Sequence, residues 1–578
     1  MKLSDEQNEV INAPLKPISV TACAGSGKTE TAIWRLIAVR QKMGKSRGRV
    51  VLLSFSNVAV NTFNKGYTRL ASALPDDASR KRVEVDTLDG FFTQYVLRPH
   101  AYRTMDATQA TYLVSGSEPF LNSFQYWPDE GRPLPLKDIK VGIQAGNIFF
   151  FIDTHTGIEK LDTAKALKTV KHLGRTGAYT HELGRYWVYQ TLVNQPKVLR
   201  ALAARYPQIL VDESQDLGTM HQAILELLIS AGVQVSLIGD VNQGIYGFAG
   251  ADGSFLNTYV DRAYVTGYKL TRNYRSLPSI INIANSLCGR DDKPARQHEE
   301  KGGAYFIGYK DSQLSNLFES FKVHLDELGI LHQDAVILSR GTDRAAVLAG
   351  KTAPPGQGTT AMFARAALLR DQHRHYQECY RIVCSAVVGL LDSPPNGLLS
   401  NLLGGPHETW MLGLRRLLWS FCRNVKTGLP SSALVANTEW HSQLKNNIRC
   451  LLATIEQQYE LTAIRTVGNK LAKTGLTSEP LKGAVMAQKN DPGIRVETIH
   501  QVKGESIGGV LFVAKKANIQ SLLSGTKEED GRIGYVAVTR AKNLFWLAVP
   551  HSNLKEFRED LLATGFIELS IPAFIGKS

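Results

Sequence analysis

The sequence predicts an α/β fold in which parallel strands deliver polar residues at their C-terminal ends, and three stretches carry that prediction. Ile18-Ser-Val-Thr-Ala22 runs into a loop of small residues and then a helical stretch with Ile33, Leu36 and Ile37 on one face. Ile209-Leu-Val211 ends in the carboxylates Asp212 and Glu213, and Val235-Ser-Leu-Ile238 ends in Gly239-Asp240. Short apolar runs bounded by turn signals read as buried strands, and open α/β sheets bind ligands at those C-terminal ends.

Composition agrees with a soluble globular chain. The 578 residues are 43% hydrophobic and 21% charged, which excludes collagen-like, mucin-like and disordered readings. At roughly 100–200 residues per domain the length suggests about three to five domains. The longest apolar run, Ile382 to Leu391, is far short of the about 20 residues that span a bilayer. The start, Met1-Lys-Leu-Ser-Asp-Glu-Gln7, lacks the apolar core of a signal peptide, so a cytoplasmic protein is expected. Lys and Arg number 67 against 53 Asp and Glu, a net charge of +14. A surplus of that sign suits a polyanion, since neutralised phosphates release counterions; a basic surface without a partner is the alternative. Six scattered cysteines without a CxxC pair argue against a zinc ribbon or a disulfide framework.

The first stretch is a P-loop in its proper context of strand, loop and helix. In Ala22-Cys-Ala-Gly-Ser-Gly-Lys-Thr29 small residues let backbone N–H groups close around phosphates, and the helix that follows adds its positive end. Ala24, Gly25, Ser26, Gly27 and Glu30 belong to this cradle, with Lys28 directed at the β- and γ-phosphates and Thr29 at Mg²⁺. Ala22 stands at the first motif position, where glycine is usual. The second stretch supplies carboxylates as an ATPase needs them: Asp212 for the metal and Glu213 for the attacking water.

In the third stretch, Gly239-Asp-Val-Asn-Gln-Gly-Ile-Tyr-Gly-Phe248 resembles motif III of superfamily 1 helicases of the UvrD/Rep/PcrA type. Other motifs of that family follow in order: Leu3-Ser-Asp-Glu-Gln7, Phe55-Ser-Asn57, Thr87-Leu-Asp-Gly-Phe91, Leu270-Thr-Arg-Asn-Tyr-Arg275, Thr498-Ile-His-Gln-Val-Lys-Gly-Glu505 and Tyr535-Val-Ala-Val-Thr-Arg-Ala-Lys542. Each motif is weak alone; the ordered set, spread from about residue 3 to 549, is specific.

The resemblance implies two RecA-like P-loop domains with mainly helical insertions and an ATP-dependent DNA helicase moving 3′→5′. It places Gln7 on adenine, Tyr274 near the base and Glu505 on the ribose. Gln243, Arg275 and Arg540 would surround the γ-phosphate. Arginines supplied there from a second domain are worth roughly 10³–10⁵ in rate and would couple hydrolysis to domain movement. Single-stranded or tailed duplex DNA would meet Phe55, Asn57, Tyr246, Phe248, His500 and Lys503, although each of Phe55, Tyr246 and Phe248 also suits an ordinary core position. From Lys165 to Arg205 eight cations stand against the single acid Glu182, a DNA-facing run or a solvated basic face.

Three departures stand out. Ala249 replaces the family's motif III arginine, so coupling between hydrolysis and unwinding is expected to weaken or be re-routed. In Lys503-Gly-Glu-Ser506 the carboxylate is shifted by one place, and Asp89 stands where histidine is usual. His375 and Cys379, four apart, could face one metal, but an amphipathic core helix is the better reading.

The spacing assigns residues 1–95 and 196–268 to the first core and 96–195 to its insertion, with a hairpin expected around Ile148 to Ile158. Residues 269–349 and 491–578 form the second core, and 350–490 a reduced helical insertion. The short tail and the absence of a second carboxylate-rich site argue against a fused nuclease. Asp89-Gly-Phe91, Leu97-Arg-Pro99 and the reduced insertion resemble the UvrD-like subunit of the Gabija anti-phage system. That resemblance implies an OLD-family nuclease partner with a Toprim domain; a DNA-sensing regulatory ATPase and a general repair helicase are the alternatives.

Overall fold

The computed structural model describes residues 3–71, 80–116, 118–129, 133–144, 146–154, 157–247, 250–251, 253–296, 301–350, 356–372, 374–395, 397–404, 409–482 and 493–569. Phe248, Ala249 and His373 lie outside them.

Six short strands of the N-terminal half form one parallel sheet: β1 (Ile18–Ala22), β2 (Val50–Ser54), β3 (Val83–Thr87), β4 (Gln208–Val211), β5 (Gln234–Gly239) and β6 (Thr266–Leu270), in the order β6-β1-β5-β4-β2-β3. β2 and β4 are buried at every residue, as strands covered by helices on both faces must be. β6 pairs with β1 along all five residues, so the first sheet reaches Leu270, two residues beyond the boundary read from sequence.

The second sheet comprises β7 (Gly303–Tyr309), β8 (Ala335–Ser339), β9 (Arg495–Thr498), β10 (Ile507–Val513), β11 (Ala541–Pro550) and β12 (Ile567–Glu568). They lie in the order β9-β8-β10-β11-β7-β12, again all parallel. Parallel neighbours need crossovers, and the helices Pro278–Cys288, Leu314–Glu327 and Glu529–Arg540 serve the sheet from its faces.

The first insertion is more mixed than expected. Its helices Thr163–Arg175 and His181–Asn194 accompany an antiparallel meander of Lys140–Gln144, Asn147–Thr154 and Gly157–Lys160. Phe150, Trp187 and Leu97 bury against the same cluster as Val51 and Leu53 of β2, so insertion and sheet share one apolar core. The described residues between 356 and 482 are mainly helical. Helices Gly358–Asp371, Tyr376–Val388, Thr409–Arg423 and His441–Tyr459 pack around Trp440, Leu414 and Val383. Cys379 and Cys384 are buried in that core, and no group of three or more metal-ligating side chains occurs among the described residues. Nor, among them, is any helix long and apolar enough to cross a membrane.

Candidate active site

β1 ends at Ala22, and the chain turns through Gly25 and Gly27 at φ +71° and +78°, backbone that side chains resist, before the helix Lys28–Lys42 begins. Gly25 has a second reason to lack a side chain. A Cβ there would lie 2.5 Å from Asn273 Oδ1 and 2.6 Å from Arg275 Cβ. The loop is braced from inside: Ser26 Oγ donates to Cys23 O at 2.9 Å, and the buried Gln7 donates from Nε2 to Ser26 O at 3.1 Å. Gln7 is itself held by a reciprocal capping box with Ser4. Lys28 Nζ donates to Cys23 O at 3.4 Å.

Beyond β4, Asp212 is buried, and Glu213 takes the left-handed conformation at φ +51°. A non-glycine residue held there is a strained position of the kind found at functional sites. Burial, then repulsion from Glu213, pushes the Asp212 carboxyl above its ordinary range against the pull of Lys28. Burial would raise Glu213 as well, but Lys28, then Lys503, Gln215 and Arg540, hold it below its usual value. Asp212 Oδ1 is a buried oxygen with no hydrogen-bond partner. An orphaned carboxylate oxygen close to a loop of this kind fits a hard divalent cation such as Mg²⁺; Asp212 lies behind its neighbour Glu213, and Glu213 and Thr29 both line a cavity.

That cavity, about 580 Å³, lies where the two cores meet. Gly25 to Thr29, Glu213 and Gln243 come to it from the first sheet's loops, and Arg275, Gly504 and Arg540 from the second core's side. Arg540 is buried at the end of its helix and donates to Gln243 Oε1 at 2.6 Å across the gap. Arg275 donates from Nη1 to Thr539 O at 3.0 Å; burial, then the neighbouring Arg540, lowers its guanidinium to about 9. Two desolvated guanidiniums side by side favour an incoming polyanion. Lys65 and Arg69 also line the cavity. Sequence reasoning missed them, and the signal was their i, i+4 spacing on the helix Asn57–Leu70 that follows the Phe55 motif.

Other expected residues stand elsewhere. Tyr274 is half-buried outside the cavity lining, its backbone N–H on Gly25 O at 2.9 Å. Glu505 turns its carboxylate to Arg495, and Glu30, on the cavity wall, pairs with Arg69 at 2.7 Å. Lys503, expected at nucleic acid, instead faces the first core. Its Nζ donates to Asp216 Oδ1 and Oδ2 at 2.6 and 2.7 Å and to Gln243 O at 2.7 Å, which uses all three of its protons. The same ammonium lies 4.6 Å from the centre of the Tyr246 ring. His500 Nε2 lies 3.2 Å from Ile245 O. Phe55 is half-buried and meets the His221 ring edge-on at 5.7 Å, while Asn57 is exposed at the start of its helix.

Asp89, the departure from the family pattern, is a junction. It accepts from Arg185 Nε and Nη2 at 3.0 and 2.9 Å and lies 2.9 Å from His221 Nε2, so it ties the insertion helix His181–Asn194 to the helix Thr219–Ser230. Arg185 is thereby removed from the basic run. Lys168, Lys171 and Arg175 remain exposed along one helix face.

Comparison with known proteins finds partial matches to helicases. The UvrD/REP helicase N-terminal domain family matches residues 3–172 and 160–263. ATP-dependent DNA helicase UvrD2 of Mycobacterium tuberculosis is 24% identical over 317 residues, covering 49% of this chain and 43% of the relative. DNA helicase II of Escherichia coli is 24% identical over 299 residues, 49% of this chain and 40% of the relative. PcrA of Leuconostoc citreum is 24% identical over 334 residues, 54% and 42% respectively. The matches thus span less than half the length of these relatives. Through residue 263, this chain is similar to the N-terminal domain of the UvrD/REP helicases.

Proposed function

We propose that the chain is an ATP-dependent DNA helicase or translocase, moving 3′→5′ as the family resemblance implies. One observation carries the reading: the P-loop of one parallel core and two arginines from the side of another, Arg275 and Arg540, line a single cavity. In this reading Lys28 and the loop N–H groups hold the β- and γ-phosphates of ATP. Thr29 and Asp212 hold Mg²⁺, which supplies charge neutralisation at the phosphates. Glu213, kept ionised by Lys28 and its other neighbours, takes a proton from the water that attacks the γ-phosphorus, and ADP leaves with the bridging oxygen. Arg275 and Arg540 stabilise charge on the transferring group, and Gln243 joins that site to the first core.

The test is ATP hydrolysis by the chain with and without single-stranded DNA, using Lys28→Ala as the blank. DNA-stimulated turnover that falls about 10²-fold or more in Glu213→Gln, with nucleotide binding retained, supports the assignment. Wild-type hydrolysis in either variant would sink it.

A second reading is favoured by Ala249, which replaces the arginine that links nucleotide to DNA in the resembling family. The chain is then a DNA-sensing ATPase that switches an OLD-family Toprim nuclease partner, as in a Gabija-type defence complex, and unwinds little. Strand displacement separates the two: turnover without displacement, together with a stable complex with such a nuclease, selects the switch. Efficient displacement by the chain alone selects the motor, including a general repair helicase.

A further inference from the structure

Asp240 directly follows β5 and is completely buried, with its backbone N–H and both carboxylate oxygens hydrogen-bonded or paired. Its backbone N–H donates to Gln215 Oε1 at 3.0 Å, and Gln215 Nε2 donates onward to Glu213 Oε2 at 2.6 Å. Its Oδ2 accepts from Gln243 Nε2 at 2.7 Å, and Gln243 Oε1 accepts from Arg540 at 2.6 Å. Asp240 is therefore the branch point of a continuous hydrogen-bonded chain that runs to Glu213 on one side and Arg540 on the other.

The cation that balances this carboxylate belongs to the other core. Arg290 Nη1 lies 3.0 Å from Asp240 Oδ1, while Arg290 Nη2 lies 3.0 Å from Asp292. The turn that carries Arg290 is rigid. Gly289, at φ +67°, closes the helix Pro278–Cys288, and Asn285 exchanges hydrogen bonds with Asp292 at 3.0 and 3.1 Å. The fold thus presents one guanidinium on a fixed turn to a fully buried carboxylate of the facing core. A buried charge stripped of its partner is strongly unfavourable. When the cores separate, Asp240 must either take on solvent or turn, and either movement pulls Gln243.

We propose that Arg290 is a positioning residue that makes the alignment of Glu213, Gln243 and Arg540 depend on closure of the two cores. This rests on the reading of the cavity as an ATP hydrolysis site. Arg290 itself is absent from the cavity wall, so its effect passes through Asp240. The role is distinct from that of Arg540, which reaches the cavity directly.

The test compares full-length wild type, Arg290→Gln, Arg290→Lys and the double variant Arg290→Gln/Asp240→Asn in ATP hydrolysis with a single-stranded DNA oligonucleotide, alongside thermal melting. The expected result is a kcat about tenfold lower in Arg290→Gln with KM for ATP within about twofold of wild type, and partial retention in Arg290→Lys. An amide at position 240 leaves no stranded charge, so the double variant should recover kcat by about threefold or more over Arg290→Gln. A kcat within about twofold of wild type in Arg290→Gln, or a KM that rises in step with the loss, overturns the proposal. If wild type hydrolyses no ATP, the reading of the cavity has failed, and melting still tests whether the Arg290–Asp240 contact holds the two cores in register. A lowered Tm in Arg290→Gln that is restored in the double variant supports it; an unchanged Tm overturns it.

Discussion

Lys503 and Asp216 form a buried ion pair between the two cores: Nζ lies 2.6 and 2.7 Å from the carboxylate oxygens, and the side chains are 8% and 3% exposed. Burial pushes Asp216 up to about 7, against the pull of Lys503. Lys503→Met removes one partner and strands the other. The expected cost is about 3–5 kcal/mol, read as a lowered urea midpoint. Adding Asp216→Asn should return part of it. Equal midpoints for wild type and Lys503→Met would mean that the pair contributes nothing to holding the cores together.

Gly25 combines positive φ with a Cβ direction already filled by Asn273 and Arg275. Gly25→Ala is expected to cost about 1–3 kcal/mol in backbone strain and to displace Arg275 from the cavity. Far-ultraviolet circular dichroism should be unchanged while ATP turnover collapses. Full turnover would show that Arg275 tolerates the shift.

Phe55 sits half-buried at the C-terminal end of β2, with its ring against His221. If it stacks on a base, Phe55→Ala should weaken single-stranded DNA binding by about 1–3 kcal/mol and leave DNA-independent hydrolysis in place. Fluorescence anisotropy with a labelled oligonucleotide measures this. Unchanged affinity assigns the ring to packing alone.

The Asp89 junction gives a pH dependence of definite sign. Burial alone would raise Asp89, but hydrogen bonds from His181, His221 and Arg185 hold it well below the ordinary carboxylate range. Burial, then Arg185, lowers His221 below 6.5 despite the facing Asp89 and Glu182. Both groups therefore bind fewer protons in the folded chain than in the unfolded one, so stability rises with pH across their windows. On acidification the His221 contribution is lost from about pH 6.5 downward and the Asp89 contribution from about pH 4 downward. Asp89→Asn should flatten the lower part of that melting profile. An identical slope below about pH 4 would sink the assignment.

Much of the site was legible in the sequence because its chemistry is local. A phosphate cradle needs consecutive small residues between a strand and a helix, and Ile18 to Thr29 spell that out in twelve positions. Asp212 and Glu213 follow directly from a buried strand, and such spacing survives any rearrangement around it. The meander at 140–160 was harder to read. Only a hairpin around Ile148 to Ile158 was expected, and the first strand, Lys140–Gln144, has too short a pattern to separate from a loop. Lys503 illustrates a different limit. The family resemblance puts it at nucleic acid, and nothing within its own segment reveals an acid 287 positions away.

The sequence alone determined the α/β class and the strand-loop-helix stretches to which phosphate and metal chemistry is assigned as a proposal, because each depends on neighbours a few positions apart. The tertiary structure alone decided which charges meet. Asp240 with Arg290, Asp216 with Lys503, and Asp89 with Arg185 and His221 join segments 50 to 287 residues apart. Their pairing is set by how the parallel cores and the insertion dock. In a desolvated interface a carboxylate is tolerable only where docking brings it a cation or enough donors, and a linear pattern does not encode that condition.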